Sequence, residues 1–306
     1  MMRPLHLLPF LPGLSYATTE VLLPLYLYPL PGAWSPIKSA VAAHPDLTFN
    51  IVINPNNGPT NAPDGNYDPE TSALGAYPNV KLLGYVHTST DWGATRCNIP
   101  FGDITHDIEV WYNWTINYNI PISGIFVDEA PVNTANGCVN YMQNVTWHIK
   151  NTFGPGAKVV YNPGYTGGST AIQTFYDLSP GPDLVVAAET CFVTSADAWG
   201  SLDECPTGGT YTTYDSAGVG SYIDTYVTPY VGSTRLPKTA VLVHGFHDDN
   251  GGTPNIVASS TTLSVLLEAV VNKSIGATFF NTAGYQAFHY TPVDIGTFAN
   301  ALDALV

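Results

Sequence analysis

Eight short apolar runs, each ending in a residue able to hydrogen-bond, most limit how this chain can fold. They are VLLPLYLY (21–28), LTFNIVIN (47–54), VKLLGYVH (80–87), ISGIFVDE (122–129), KVVYN (158–162), DLVVAAE (183–189), TAVLVH (239–244) and ATFFN (277–281). Helical periodicity lies between several of them, clearest over 103–116, 139–153 and 261–272. Strands alternating with helices require a parallel sheet, and eight such units in 306 residues predict a closed (β/α)8 TIM barrel of the α/β class. A doubly wound open sheet would carry a Gly-rich phosphate turn after its first strand, and Tyr28-Pro29-Leu30-Pro31-Gly32 is no such turn. No repeat or linker divides the chain, so residues 18–306 are expected to form one catalytic barrel domain.

A barrel gathers the C-terminal ends of all its strands on one face, where active sites of this fold are built. The run ends are Tyr28, Asn54, His87, Asp128, Asn162, Glu189, His244 and Asn281. Side chains alternate between the two faces of a strand, so the acids can be sorted. Ile125 and Val127 suit the helix-facing side, which leaves Gly124, Phe126 and Asp128 pointing inward and Glu129 at the rim. Val185, Ala187 and Glu189 share one parity, which turns Glu189 inward as well. Asp128 and Glu189 are therefore the expected facing pair, with Glu129 the third candidate. A facing pair can hold one carboxylate ionised and the other protonated, which is what breaking a glycosidic bond requires.

The remaining strand ends suit a sugar site. Asn54 and Asn162 each precede a proline, which keeps them extended. His87 and His244 can hydrogen-bond hydroxyls or tune the acids. Tyr26, Tyr28, Trp92, Trp199 and Phe246 fall at or just after strand ends, where flat rings can stack on sugars. No metal or other cofactor is expected, since neither HxH nor HExxH spacing occurs, and no G-x-S-x-G elbow points to a serine hydrolase.

The 24 acidic residues against 9 basic ones give a net charge of −15 with no basic stripe, which argues against a nucleic-acid partner. Residues 1–17 read as a secretory leader: Arg3, an apolar stretch from Leu5 to Leu14, then Ser15-Tyr16-Ala17 as a cleavage site. No other segment is apolar enough to span a membrane. The four cysteines allow three pairings; closing the short Cys191–Cys205 loop would leave Cys97 with Cys138. Sequons at Asn113, Asn144 and Asn272 complete the picture of a secreted or wall-associated glycoprotein, expected to be a monomer.

GIFVDEAP (124–131), with VLLPLYLYP upstream, TRCNIP (95–100), YNPG (161–164) and the AAE of strand six, resembles the spherulin-4-like family of secreted fungal and slime-mould proteins. The resemblance runs from about Thr18 to Val306. It implies a barrel glycoside hydrolase that cuts within α-1,4-linked N-acetylgalactosamine or galactosamine stretches of galactosaminogalactan. It implies the same three acids, Asp128, Glu129 and Glu189, and, by analogy with a related galactosaminidase family, Asp128 as nucleophile and Glu189 as acid/base in a retaining reaction. Two other readings compete. One is a non-catalytic cell-surface barrel that binds wall glycan during development. The other is a chitin-type hydrolase, which the adjacent Asp128-Glu129 does not fit, because barrel chitinases space their strand-four acids as D-x-E.

Overall fold

The computed structural model describes residues 18–90, 96–192, 213–214, 218–246, 260–281 and 294–306. Eight parallel strands close into a barrel in chain order: β1 (Glu20–Leu25), β2 (Phe49–Ile53), β3 (Val80–His87), β4 (Ile122–Asp128), β5 (Lys158–Asn162), β6 (Leu184–Cys191), β7 (Thr239–His244) and β8 (Ala277–Phe280). The ring is completed by β8 against β1. Outside it lie α1 (Ser35–Ala43), α2 (Tyr67–Gly75), α3 (Phe101–Tyr118), α4 (Cys138–Phe153), the short α5 (Gln173–Tyr176) and α6 (Thr228–Val231), α7 (Ser260–Asn272) and α8 (Ile295–Asp303). The expected architecture is thus the observed one, and the three helices read from periodicity are α3, α4 and α7. β1 stops at Leu25, three residues before the end of the run it was read from.

Strands buried on both faces need continuous apolar sequence, and every residue of β2 and of β7 is buried. Amphipathic α3 turns Ile104, Ile108, Trp111 and Trp114 to the barrel. Its indoles are not left with orphaned donors: Trp111 Nε1 gives its proton to the Tyr85 carbonyl at 2.8 Å and Trp114 Nε1 to that of Thr60 at 2.9 Å. Trp111 lies over Gly84 so closely that a Cβ there would meet the ring at 2.4 Å.

Gly124, on β4, is tighter still. A Cβ at this position would sit 1.9 Å from the Lys158 carbonyl oxygen of β5, a backbone atom that cannot rotate away. Gly124→Ala is therefore expected to destabilise the fold by about 3 kcal/mol or more, lowering the melting temperature by at least roughly 6 °C. A melting curve matching that of the parent would show that the β4–β5 contact has slack.

At the N-terminal end of the barrel, the Lys158 ammonium on β5 meets the Glu20 carboxylate on β1 at 2.7 Å, and Asn50 of β2 donates to the same carboxylate at 2.9 Å. β1 and β5 face each other across an eight-stranded ring, so this ion pair spans the barrel floor. At the other end, the Cys97–Cys138 disulfide ties the segment after β3 to the start of α4, with Cα atoms 5.6 Å apart. The sequon asparagines 113, 144 and 272 are all exposed, on α3, α4 and α7. Among the described residues no helix is long and apolar enough to cross a membrane. The leader (1–17), Trp92, Trp199 and Cys205 lie outside the described residues.

Candidate active site

At the C-terminal mouth, three consecutive strands converge on one side chain. Asn162, the last residue of β5, donates through Nδ2 to Asp128 Oδ1 of β4 at 2.9 Å and to Glu189 Oε2 of β6 at 2.8 Å. A single nitrogen that reaches both acids fixes their spacing. The two oxygens are no farther apart than these distances laid end to end, about 5.7 Å. With the two N–H bonds of a primary amide splayed by about 120°, the gap is about 5 Å.

Asp128 is further held by the Tyr85 hydroxyl, which donates to Oδ2 at 2.6 Å, and by the Glu129 backbone N–H, which donates to Oδ1 at 2.8 Å. Glu189 accepts from His244 Nε2, at the end of β7, across 3.0 Å. Its own backbone N–H reaches the Gly164 carbonyl at 2.8 Å, so the loop after β5 is laid against it. These partners set the two acids apart. Burial, and after it the charge of Glu189, push the Asp128 carboxyl up to about 6, against the stabilising donors Tyr85 and Glu129 N–H. Burial pushes Glu189 the same way, but the hydrogen bond and charge of His244, with the Asn162 amide, outweigh it and leave that carboxyl below its ordinary range. Below about pH 6 the pair's one proton therefore sits on Asp128 and the charge on Glu189.

Two phenols line the same space. Tyr26, just past β1, meets Tyr85 edge-on with centroids 5.7 Å apart. Burial and then the acids' charges raise both hydroxyls well above the ordinary tyrosine value, so each stays protonated and able to donate. Tyr85 was not singled out from the sequence, although it shares the parity of His87 on β3 and so had a readable inward position.

Glu129 stands apart from the pair. Its backbone takes the left-handed conformation (φ 53°), which aims its N–H at Asp128. Its side chain turns to the β3 rim, with His87 Nδ1 at 3.6 Å and Arg96 Nη1, beside the disulfide, at 3.7 Å. His87 gives its Nδ1 proton to the Ser89 carbonyl at 2.6 Å, and Asn54 Oδ1 accepts from the Gly58 N–H at 2.9 Å, so both shape loops of the mouth. Tyr28 is 40% exposed on the lip, its hydroxyl donating to Asp64 and accepting from Asn66. Phe246 is fully buried against Phe192 and Phe280 and offers no face to a ligand. Among the described residues no group of three His, Cys, Asp or Glu is placed to hold a metal ion.

Residues 20–302 match the model of the spherulation-specific family 4. Spherulin-4 of Physarum polycephalum is 35% identical over 147 residues, 47% of this chain and 39% of that protein, so the matched part spans well under half the relative's length. Among solved structures, Aspergillus clavatus Sph3 in complex with GalNAc superposes with a TM-score of 0.71 at 25% identity, covering 94% of this chain and 98% of that one. The Bacillus megaterium spore cortex-lytic enzyme SleL (TM-score 0.59, 9% identity, 99% and 78% covered) and a Chromobacterium violaceum chitinase (0.51, 12%, 93% and 98%) share the fold.

Proposed function

Since the chain belongs to the spherulation-specific family 4, we propose that it is a secreted, endo-acting glycoside hydrolase of α-1,4-linked galactosamine and N-acetylgalactosamine chains. The observation that carries this reading is the Asn162 bridge. The Asp128 and Glu189 oxygens that share its amide are at most about 5.7 Å apart, which supports the roughly 5–5.5 Å spacing of retaining glycosidases over the roughly 6.5–9.5 Å that inverting enzymes need to admit a water. The amino-sugar substrate is supported by the likeness to Sph3, whose structure holds GalNAc. Secretion is supported by the leader-like residues 1–17 and the Cys97–Cys138 disulfide.

In the reaction, an ionised carboxylate attacks the anomeric carbon from one face while the protonated partner gives its proton to the leaving glycosidic oxygen. Water then releases the covalent glycosyl-enzyme, with the second residue now acting as base. Asn162 keeps both carboxyls in register through the two steps. Tyr85 keeps its hydroxyl donating to Asp128 Oδ2, and Tyr26, held as a phenol, stands beside it near both acids. The analogy with a related galactosaminidase family makes Asp128 the nucleophile. The environments of the two carboxyls favour the converse, with Glu189 ionised and Asp128 holding the proton.

The test is the anomeric form of the first product. A proton NMR time course on α-1,4-linked galactosamine oligomers is expected to show shorter chains appearing first as the α-anomer. A β-anomer appearing first would overturn the retaining reading. Tight binding of the oligomers with no product would mark the protein as a glycan-binding barrel.

A further inference from the structure

The acids occupy the middle of the mouth, but a polymer must also be held on either side of the bond that breaks. Two solvent-facing tyrosines lie on opposite lips. Tyr165 is 54% exposed in the loop that follows β5. Its neighbour Gly164 gives its carbonyl to the Glu189 N–H, and a Cβ there would come within 3.9 Å of the Glu189 carboxylate, so the backbone that carries Tyr165 runs beside Glu189. Thr166, next along, donates to the Tyr226 carbonyl at 3.1 Å, which anchors this loop to the outer helices. On the far lip, the segment after β1 leads from Tyr26, within the influence of both acids, out to Tyr28 two residues later. The Tyr28 hydroxyl is taken up by Asp64 at 2.7 Å and Asn66 at 2.9 Å, and Tyr67 meets its ring edge-on at 5.5 Å. That phenol is thereby pinned in place while the residue stays 40% exposed.

We propose that Tyr28 and Tyr165 are the two outer platforms of a sugar-chain track that crosses the mouth from the end of β1 to the end of β5, with Asp128 and Glu189 between them. The inference rests on the glycan-cleaving reading of the pair and extends it from a single bond to a polymer. A pyranose ring presents patches of C–H groups as well as hydroxyls, and a fixed aromatic face stacks on such a patch at little entropic cost. β1 and β5 are diametrically opposed, so a chain lying on both tyrosines passes over the pair.

The experiment compares kcat/KM for long α-1,4-linked galactosamine chains with that for short oligomers filling only the sugars next to the scissile bond. Tyr28→Ala and Tyr165→Ala are each expected to lower the long-to-short ratio by about 3- to 10-fold, chiefly through KM for the long chains. Trp147→Ala, which removes an equally exposed ring from the outer surface of α4, is the control and leaves the ratio unchanged. An unchanged ratio in both tyrosine variants would overturn the proposal, as would an equal loss on short and long chains. If the parent protein cleaves neither, the hydrolase reading fails and the track is read by binding instead. Sedimentation with the long polymer is then weakened by the tyrosine substitutions if the track exists, and the absence of such weakening overturns it.

Discussion

Asp128→Asn and Glu189→Gln are each expected to lower kcat on α-1,4-linked galactosamine oligomers by about 10³-fold or more while the protein stays folded. Either change leaves a side chain of the same shape that can still take part in the Asn162 bridge, so the loss would come from chemistry rather than geometry. The first removes the carboxyl that Tyr85, Asn162 and the Glu129 N–H converge on; the second removes the one His244 keeps charged. Alanine variants then assign the roles when azide is supplied. Azide replacing a lost nucleophile gives a glycosyl azide of inverted configuration, and azide completing the reaction of a variant that lacks its acid/base gives a retained one. Cleavage persisting at parental rate in both isosteric variants would remove the pair from the reaction.

The second large effect is a dependence on pH that activity and stability share. The pair carries a single proton between the low value of Glu189 and the value of about 6 for Asp128. kcat/KM is expected to fall as pH rises through about 6, when the last transferable proton leaves. Stability follows the same group. The folded-state value of Asp128 is raised above its unfolded one of about 3.9, so its contribution is most favourable below that value and is lost as pH climbs through about 6. At pH 7 the cost is of the order of 1–3 kcal/mol. Asp128→Asn, neutral at every pH, should therefore melt a few degrees above the parent at pH 7, and the advantage should vanish near pH 4. A variant that melts below the parent at pH 7 would show that the carboxylate is held there at no cost.

The barrel was legible because both faces of a parallel strand are buried, which writes each strand as a continuous apolar run; all eight runs are strands. Parity placed Asp128 and Glu189 inward, although the β6–β7 ladder slips between Val186 and Ala188, an irregularity that alternation in a sequence does not reveal. Less visible was what depends on distances between strands. Asn162 was legible as a strand-end polar group, but its span between two acids belongs to the register of three strands. Tyr85 passed unremarked because a tyrosine inside a strand reads as packing until its hydroxyl is seen against Asp128. The left-handed backbone of Glu129 carries no signature either, since glutamate is not a residue that favours it. Phe246 shows the other side of this: a ring just past a strand end can stack on a sugar or simply pack, and this one is fully buried between two other phenylalanines.

The buried side chains that fill the barrel, with the Glu20–Lys158 ion pair at their N-terminal end, make the molecule a bowl rather than a tube. A tube would oblige a polymer to offer a free end for threading. On the proposed reading, a bowl lets a chain many times longer than the protein settle across it anywhere along its length, be cut there, and lift away with both new ends on the same side. Anything meant to block the cut has to cover the rim, because the acids cannot be approached from beneath.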